Sequence, residues 1–178
     1  YASARDITGR KKAAAALQES EEKYRLVVEN SSNAIYIYRN DRILFANRRV
    51  TDLTGYSNDE LLRMNIWDLV HPEDRTRLQE SGKQRISGSV IPPNFTGRIV
   101  KKNGDVVDCE FFVNRILFRN QPALLGITRD ITEQKKAENA LLEIQKKLRT
   151  VLDHLPDLVL VHRDGRILYV NPAMTDTL

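Results

Sequence analysis

Arg129-Asp130-Ile131-Thr132 repeats Arg5-Asp6-Ile7-Thr8. The offset is 129 − 5 = 124 positions, and the two copies stay in phase without a gap. Lys11-Lys12-Ala13 returns as Lys135-Lys136-Ala137 and Ala16-Leu17 as Ala140-Leu141. Arg42-Ile43-Leu44 with Asn47 returns as Arg166-Ile167-Leu168 with Asn171, and Thr51-Asp52 as Thr175-Asp176. Self-similarity at one fixed offset is the mark of a tandem array. The expected division is the end of a preceding unit at residues 1–8, a helical linker and N-terminal helix at 9–30, and a complete unit at 31–132. A coiled-coil-like linker at 133–155 and the start of a following, truncated unit at 156–178 complete it.

Composition limits what such a unit does. The 178 residues are 41% hydrophobic and 29% charged, one domain's worth with enough apolar side chains to bury a sizeable core. No apolar run approaches the roughly eighteen residues of a transmembrane helix, and no basic-then-apolar leader opens the chain, so direct membrane contact is not expected. The one cysteine, Cys109, excludes a disulfide framework or a multi-cysteine metal site and fits a reducing, cytoplasmic compartment. The net charge is +4 and the pI about 9.2, yet Lys and Arg alternate with Glu and Asp rather than forming a stripe. Nucleic acid is therefore not an expected partner.

Within the complete unit, residues 34–38 and 42–46 are short β-branched and aromatic runs separated by Asn40-Asp41, which predicts a hairpin. From Asn47 to Arg85 the pattern is helical but broken, by Gly55, by Asn65 and by the His71-Pro72-Glu73-Asp74 turn. A longer helix is expected from about Glu73 to Ile86, since Pro72 suits a first helical turn and the acids after it suit the positive helix end. Residues 95–101, 105–117 and 123–130 predict three more strands, joined at Asn103-Gly104 and Asn120-Gln121. The order is two strands, several helices, three strands.

These residues resemble the PAS family of sensory domains in its S-box form. The matching pieces are Glu22-Lys23-Tyr24-Arg25, Ile43 to Asn47, Thr54-Gly55-Tyr56, Asp59-Glu60-Leu61, His71-Pro72-Glu73-Asp74-Arg75, Lys102-Asn103-Gly104 and Arg129-Asp130-Ile131-Thr132. The resemblance implies an α+β fold: a five-stranded antiparallel sheet curved around a small cavity, covered by short helices and flanked by helical linkers. It also implies neighbouring PAS and output domains in a multi-domain signalling protein such as a sensor histidine kinase. No phospho-acceptor segment, nucleotide-binding glycine loop or cyclase motif occurs in the chain, so no catalytic residue is expected in it.

Alternation along 105–117 places Val107, Cys109, Phe111 and Val113 on one face, which the resemblance identifies with the cavity. Ile99, Leu124 and Thr128 from the sheet and Val50, Leu53 and Ile66 from the helices should complete the lining. In flavin-binding relatives a cysteine occupies the place of Ile66, and polar readers of the flavin ring the places of Ile99, Cys109 and Thr128. Haem-binding relatives carry a histidine on the long helix, where this chain has none. Neither cofactor is expected. The apolar lining suits a packed core without ligand or a small apolar ligand, and gives a charged metabolite no counter-charge. Tyr36 and Tyr38 either fill the space or supply hydroxyls. Trp67 is read as a core or rim aromatic, and buried Cys109 as an inert small hydrophobe.

His71, His154 and His162 share no metal-ligand spacing, and His71 is read as a helix-start residue. Glu60 should pair with Lys101 or Lys102 on the surface. Asp130, Ile131 and Thr132 form the expected signal junction, with Thr132 capping the next helix and Asp130 and Glu133 at its positive end. Beyond it Ala137, Leu141, Ile144, Leu148, Val151 and Leu155 recur with spacings of 4, 3, 4, 3 and 4, the period of a two-stranded seam. The expected partner is a second copy in a parallel homodimer, against the alternative that the stripe packs on its own sheet. Two functions remain: a sensing and relay module, or a ligand-free structural and dimerisation spacer between units.

Overall fold

In the computed structural model the described residues are Ala2–Thr175, with side chains described for residues 11–173. Asp176 of the repeat's final pair, and the last residues of the following unit, lie outside them. The chain divides into two compact units that meet at Thr132 and Glu133.

The first unit is organised by left-handed turns. Strands β1 (Ala34–Arg39) and β2 (Arg42–Ala46) reverse at Asn40 and Asp41, whose φ angles are 49° and 63°. Two successive left-handed residues match the twist of a two-residue hairpin, and Asn and Asp tolerate that region best among side-chain-bearing residues. Strands β3 (Asn94–Val100), β4 (Val106–Phe118) and β5 (Gln121–Asp130) follow the helices. The β4–β5 reversal falls on Arg119 and Asn120, with φ of 53° and 58°, one residue earlier than expected. The order β2-β1-β5-β4-β3 is antiparallel throughout and seats the first and last strands side by side at the centre. This is the five-stranded sheet the sequence implied.

Between β2 and β3 the chain forms α2 (Arg48–Thr54), α3 (Asn58–Arg63), a 3-10 turn at Ile66–Leu69 and α4 (Pro72–Ile86). Each start has its own cap: Asn47, Ser57 in a reciprocal box with Glu60, Asn65, and His71 with Pro72 inside the first turn. These helices cover the inner face of the sheet, where Val107, Cys109, Phe111 and Val113 of β4 are buried. The Arg98 guanidinium on β3 grips the Asp74 carboxylate at 3.0 and 3.1 Å, docking the start of α4 on the sheet and holding that carboxyl below the usual range.

Helix α1 runs unbroken from Ala2 to Glu29, so residues 2–8, expected to end a preceding unit, are helical here. Within the helix the backbone N–H and C=O groups of these residues satisfy one another.

The end of α1 is tied to the sheet by one fully buried side chain. Asn47 Nδ2 donates to the Val28 carbonyl at 2.8 Å and the Asn33 carbonyl at 3.1 Å, while Oδ1 accepts from Ile35 N at 2.9 Å and Val50 N at 3.3 Å. The second unit, α5 (Thr132–His154), β6 (Leu160–Arg163), β7 (Arg166–Val170) and α6 (Pro172–Thr175), repeats this lock at the same offset. Asn171 Nδ2 donates to the Leu152 and Asp157 carbonyls, and its Oδ1 accepts from Val159 N at 2.9 Å. Both hairpins also carry a bulge at the equivalent step, Ile37/Tyr38 and Val161/His162. The repeat is thus one of hydrogen-bond geometry as well as of letters.

Replacing Asn47 by alanine removes four hydrogen bonds at the root of β1, those to the Val28 and Asn33 carbonyls and to Ile35 N and Val50 N. Urea unfolding should show a loss of about 2–4 kcal/mol, and Asn47→Asp, which keeps the acceptor but loses both donors, should fall between parent and alanine variant.

Candidate functional site

A cavity of about 60 Å³ lies between the inner face of the sheet and the covering helices. Seven of the residues expected to line it do so: Val50, Leu53, Ile66, Ile99, Phe111, Val113 and Thr128. Val107, Cys109 and Leu124 do not. They are buried to within 4% of full burial, but in solid core beside the cavity. Alternation identifies the inward face of a strand, not how far along it a void extends. On β4 the lining is Phe111 and Val113, while Val107 and Cys109 lie toward the end that pairs with Asp130 and Leu124 sits on β5 opposite Arg115.

The tyrosines both fill and decorate the space. Tyr36 lies across β5 so closely that a Cβ on its cross-strand partner Gly126 would stand 2.3 Å from its Cζ. The Thr128 hydroxyl donates to the Tyr36 hydroxyl at 3.3 Å, and burial pushes the Tyr36 phenol up to about 12. Tyr38 meets Trp67 edge-on, with ring centres 6.0 Å apart. Trp67 belongs to the lining, and its Nε1 donates to Asp41 Oδ1 at 2.7 Å, fastening the 3-10 turn to the first hairpin. Burial also pushes the Cys109 thiol up to about 12, which keeps it protonated and weakly reactive near neutrality.

Sequence reasoning missed Arg85. It lines the cavity from the last turn of α4, only 6% exposed. Its Nε donates to the Val113 carbonyl at 3.0 Å, Nη1 to the Ser81 hydroxyl and Nη2 to the Pro92 carbonyl, and the guanidinium lies 5.0 Å over the Phe95 ring. A basic residue at a helix C-terminus reads as a solvated partner for the helix dipole, which hid it. Its position, three residues after Gly82 and seven after Leu78, placed it on the buried face of α4 all along. The lining is therefore not wholly apolar, as expected, but carries one cation.

On the surface, Lys102 Nζ pairs with Glu60 Oε1 at 2.7 Å and lies over the Tyr56 ring. That pairing and the Ser57 bonds hold the Glu60 carboxyl down at about 2. The described residues contain no cluster of His, Cys, Asp and Glu arranged to hold a metal ion, and none of their helices is long and apolar enough to cross a membrane.

At the end of β5 the chain knots itself to β4. Ile131 N donates to the Asp108 carbonyl at 2.9 Å, Asp108 N donates to the Thr132 hydroxyl at 3.2 Å, and Thr132 N donates to Asp130 Oδ1 at 2.9 Å. Asp130 thus satisfies the first amide of α5, and the Thr132 hydroxyl, expected to cap that helix, is engaged by the strand instead. Along α5 itself Ala137, Leu141, Ile144, Leu148 and Val151 are all exposed.

Residues 22–131 match the profile described as the PAS fold, and residues 146–178 match a second described as a PAS domain. The chain belongs to the PAS family. It is 34% identical over 131 residues to a methyl sulfide methyltransferase-associated sensor of Methanosarcina acetivorans, covering 72% of this chain and 13% of that protein. It is 28% identical to sporulation kinase A of Bacillus subtilis over 149 residues, 79% of this chain and 23% of that one. The chain therefore spans less than a quarter of these relatives. Among solved structures, the PAS domain of an HTR-like protein from Haloarcula marismortui superposes with a TM-score of 0.59 at 25% identity, over 68% of this chain and 99% of that one.

The contact of Gly126 with Tyr36 is testable in this PAS core. Gly126→Ala forces the Tyr36 ring off β5 and should cost about 1–3 kcal/mol in thermal or urea unfolding. Adding Tyr36→Ala should recover part of that loss, so that the two substitutions are clearly non-additive.

Proposed function

We propose that this chain is the sensing and relay segment of a multi-domain signalling protein, in which occupancy of the PAS cavity changes the start of α5. The observation that carries the reading is the continuity of β4. Its Phe111 and Val113 line the cavity, and three residues before Phe111 lie the same strand's contacts to the junction: Asp108 holds both Ile131 N and the Thr132 hydroxyl. A shift of β4 by a fraction of an ångström at the cavity is felt at the first turn of α5, because hydrogen bonds, not loop, connect them. Asp130, Ile131 and Thr132 are the exit in this reading, residues 31–132 are the complete unit, and residues 156–178 begin the next, as the second family match and the repeated asparagine lock support.

The receiver of the signal is a second copy of α5. Its exposed stripe has coiled-coil spacing, and a parallel homodimer gives a rotation or register shift at Thr132 a path to the following unit. Glu143 and Lys147 lie four apart in the favourable order on its flank, 4.0 Å between charges. The output belongs to domains of the whole protein, a histidine kinase by analogy with the sporulation kinase relative, in a cytoplasmic setting consistent with the lone buried cysteine.

A second reading, a ligand-free spacer that holds geometry between units, draws support from the cavity volume, about 60 Å³ against the roughly 300–1,000 Å³ of ordinary ligand pockets. A bound cofactor of flavin or haem size has no room there without rearrangement.

Replacing Leu141 and Leu148 by lysine should convert a dimer of the 178-residue chain to a monomer in analytical ultracentrifugation, with far-UV circular dichroism of the PAS core retained; an unchanged dimer mass excludes the seam. Asp130→Ala in the full-length protein should alter output while costing no more unfolding free energy than the loss of a helix cap, about 1 kcal/mol. Wild-type signalling in that variant removes the junction's role.

A further inference from the structure

The cavity wall carries one cation, and no acidic side chain among the described residues forms an ion pair with it. All of Arg85's partners are neutral: two backbone carbonyls, a serine hydroxyl and a phenyl face. The described ion pairs engage Arg98, Lys102, Arg77 and surface lysines, but not Arg85. Three of its five N–H groups are used, leaving two. Buried charges are ordinarily paired, and a guanidinium does not escape by deprotonating; burial draws its pKa down without making it neutral.

A second group on the same wall is also unanswered. Tyr38 is 6% exposed and its hydroxyl has no hydrogen-bond partner among the described residues, whereas the Tyr36 hydroxyl has Thr128. The Tyr38 hydroxyl lies against Gly82, where an added Cβ would stand 3.3 Å from it, three residues before Arg85 on α4, so the two groups belong to one neighbourhood of the cavity wall. The remaining wall is hydrocarbon and aromatic, with Ile66, Leu78 and Val113 among it. Arg85 and Val113 also border an outer groove formed by residues 88–91 and 114–117.

We infer that the cavity recognises a short-chain monocarboxylate, its carboxylate on the free N–H groups of Arg85 and the Tyr38 hydroxyl and its hydrocarbon tail among the apolar side chains. The inference rests on the reading of the cavity as a sensory site and names the ligand class that site takes. A planar carboxylate matches a guanidinium fork. A di- or tricarboxylate would leave a second charge buried without a partner, and an inorganic anion would gain nothing from the apolar walls. The volume suits a body of only a few carbons.

Isothermal titration of the 178-residue chain with propionate and with propionamide, equal in shape and different in charge, tests this directly. Propionate should bind at least about tenfold more tightly. Tyr38→Phe removes a hydroxyl that bonds to none of the described residues, so it should fold normally and narrow the acid-to-amide ratio; Arg85→Met should abolish it. Should Arg85→Met fail to fold for want of its Val113 and Pro92 bonds, the parent ratio and Tyr38→Phe carry the test. Equal affinity for acid and amide overturns the carboxylate assignment and leaves the ligand-sensing reading standing. No binding of either compound to the folded chain overturns the assignment and the ligand-sensing reading together, in favour of the spacer.

Discussion

Everything in the PAS unit hangs from Asn47. A helix end, a loop, the first residues of a central strand and the first turn of α2 all direct backbone groups at one buried point, and one amide side chain answers them. No other residue type supplies two donors and a double acceptor in so small a volume except the longer glutamine. The consequence is mechanical. Helix α1 is joined to β1 and α2 by hydrogen bonds rather than by a slack connection, so its orientation is set by the same atoms that set the sheet. β1 in turn pairs with β5, and β5 with β4, so the lock and the exit junction share one continuous ladder.

Much of this was legible because the deciding residues are local. Asn-Asp at the first hairpin and Pro72 after His71 each announce their geometry within a few positions, and the structure uses each accordingly. The alternation along β4 gave its buried face correctly. What was not legible depends on tertiary closeness. The extent of the void along β4 follows from how Tyr36 lies over Gly126, a contact between residues 90 positions apart (126 − 36 = 90) that no periodicity records. Arg85 was hidden for a different reason: charge was allowed to outrank phase, although its place relative to Leu78 and Gly82 put it on the buried face of α4. The Thr132 hydroxyl was assigned to the nearest helix when a strand edge lay as close.

The core places rigidity and vacancy side by side. Val107 and Cys109 pack solidly at the end of β4 near the junction, while the void sits farther along the strand, between Phe111, Val113 and the helices. In the proposed relay such a division would suit transmission: a ligand would act where side chains can move, and the displacement would pass along a strand whose far end cannot absorb it by repacking.

The two linker helices are in phase but unequal, and the inequality bears on the direction of the relay. Subtracting 124 from the α5 stripe gives Ala13, Leu17, Ser20, Tyr24 and Val27, with serine where α5 has Ile144 and tyrosine where it has Leu148. A seam interrupted by serine buries less hydrocarbon and resists rotation less. In a dimer the α5 pair would then be the stiffer element and the α1 pair the softer one. A bistable change in the PAS core between them biases the equilibrium of whatever it is firmly joined to, and a soft seam dissipates the same displacement. The asymmetry favours output through α5 over feedback through α1, and it follows from two side-chain identities in otherwise matching registers.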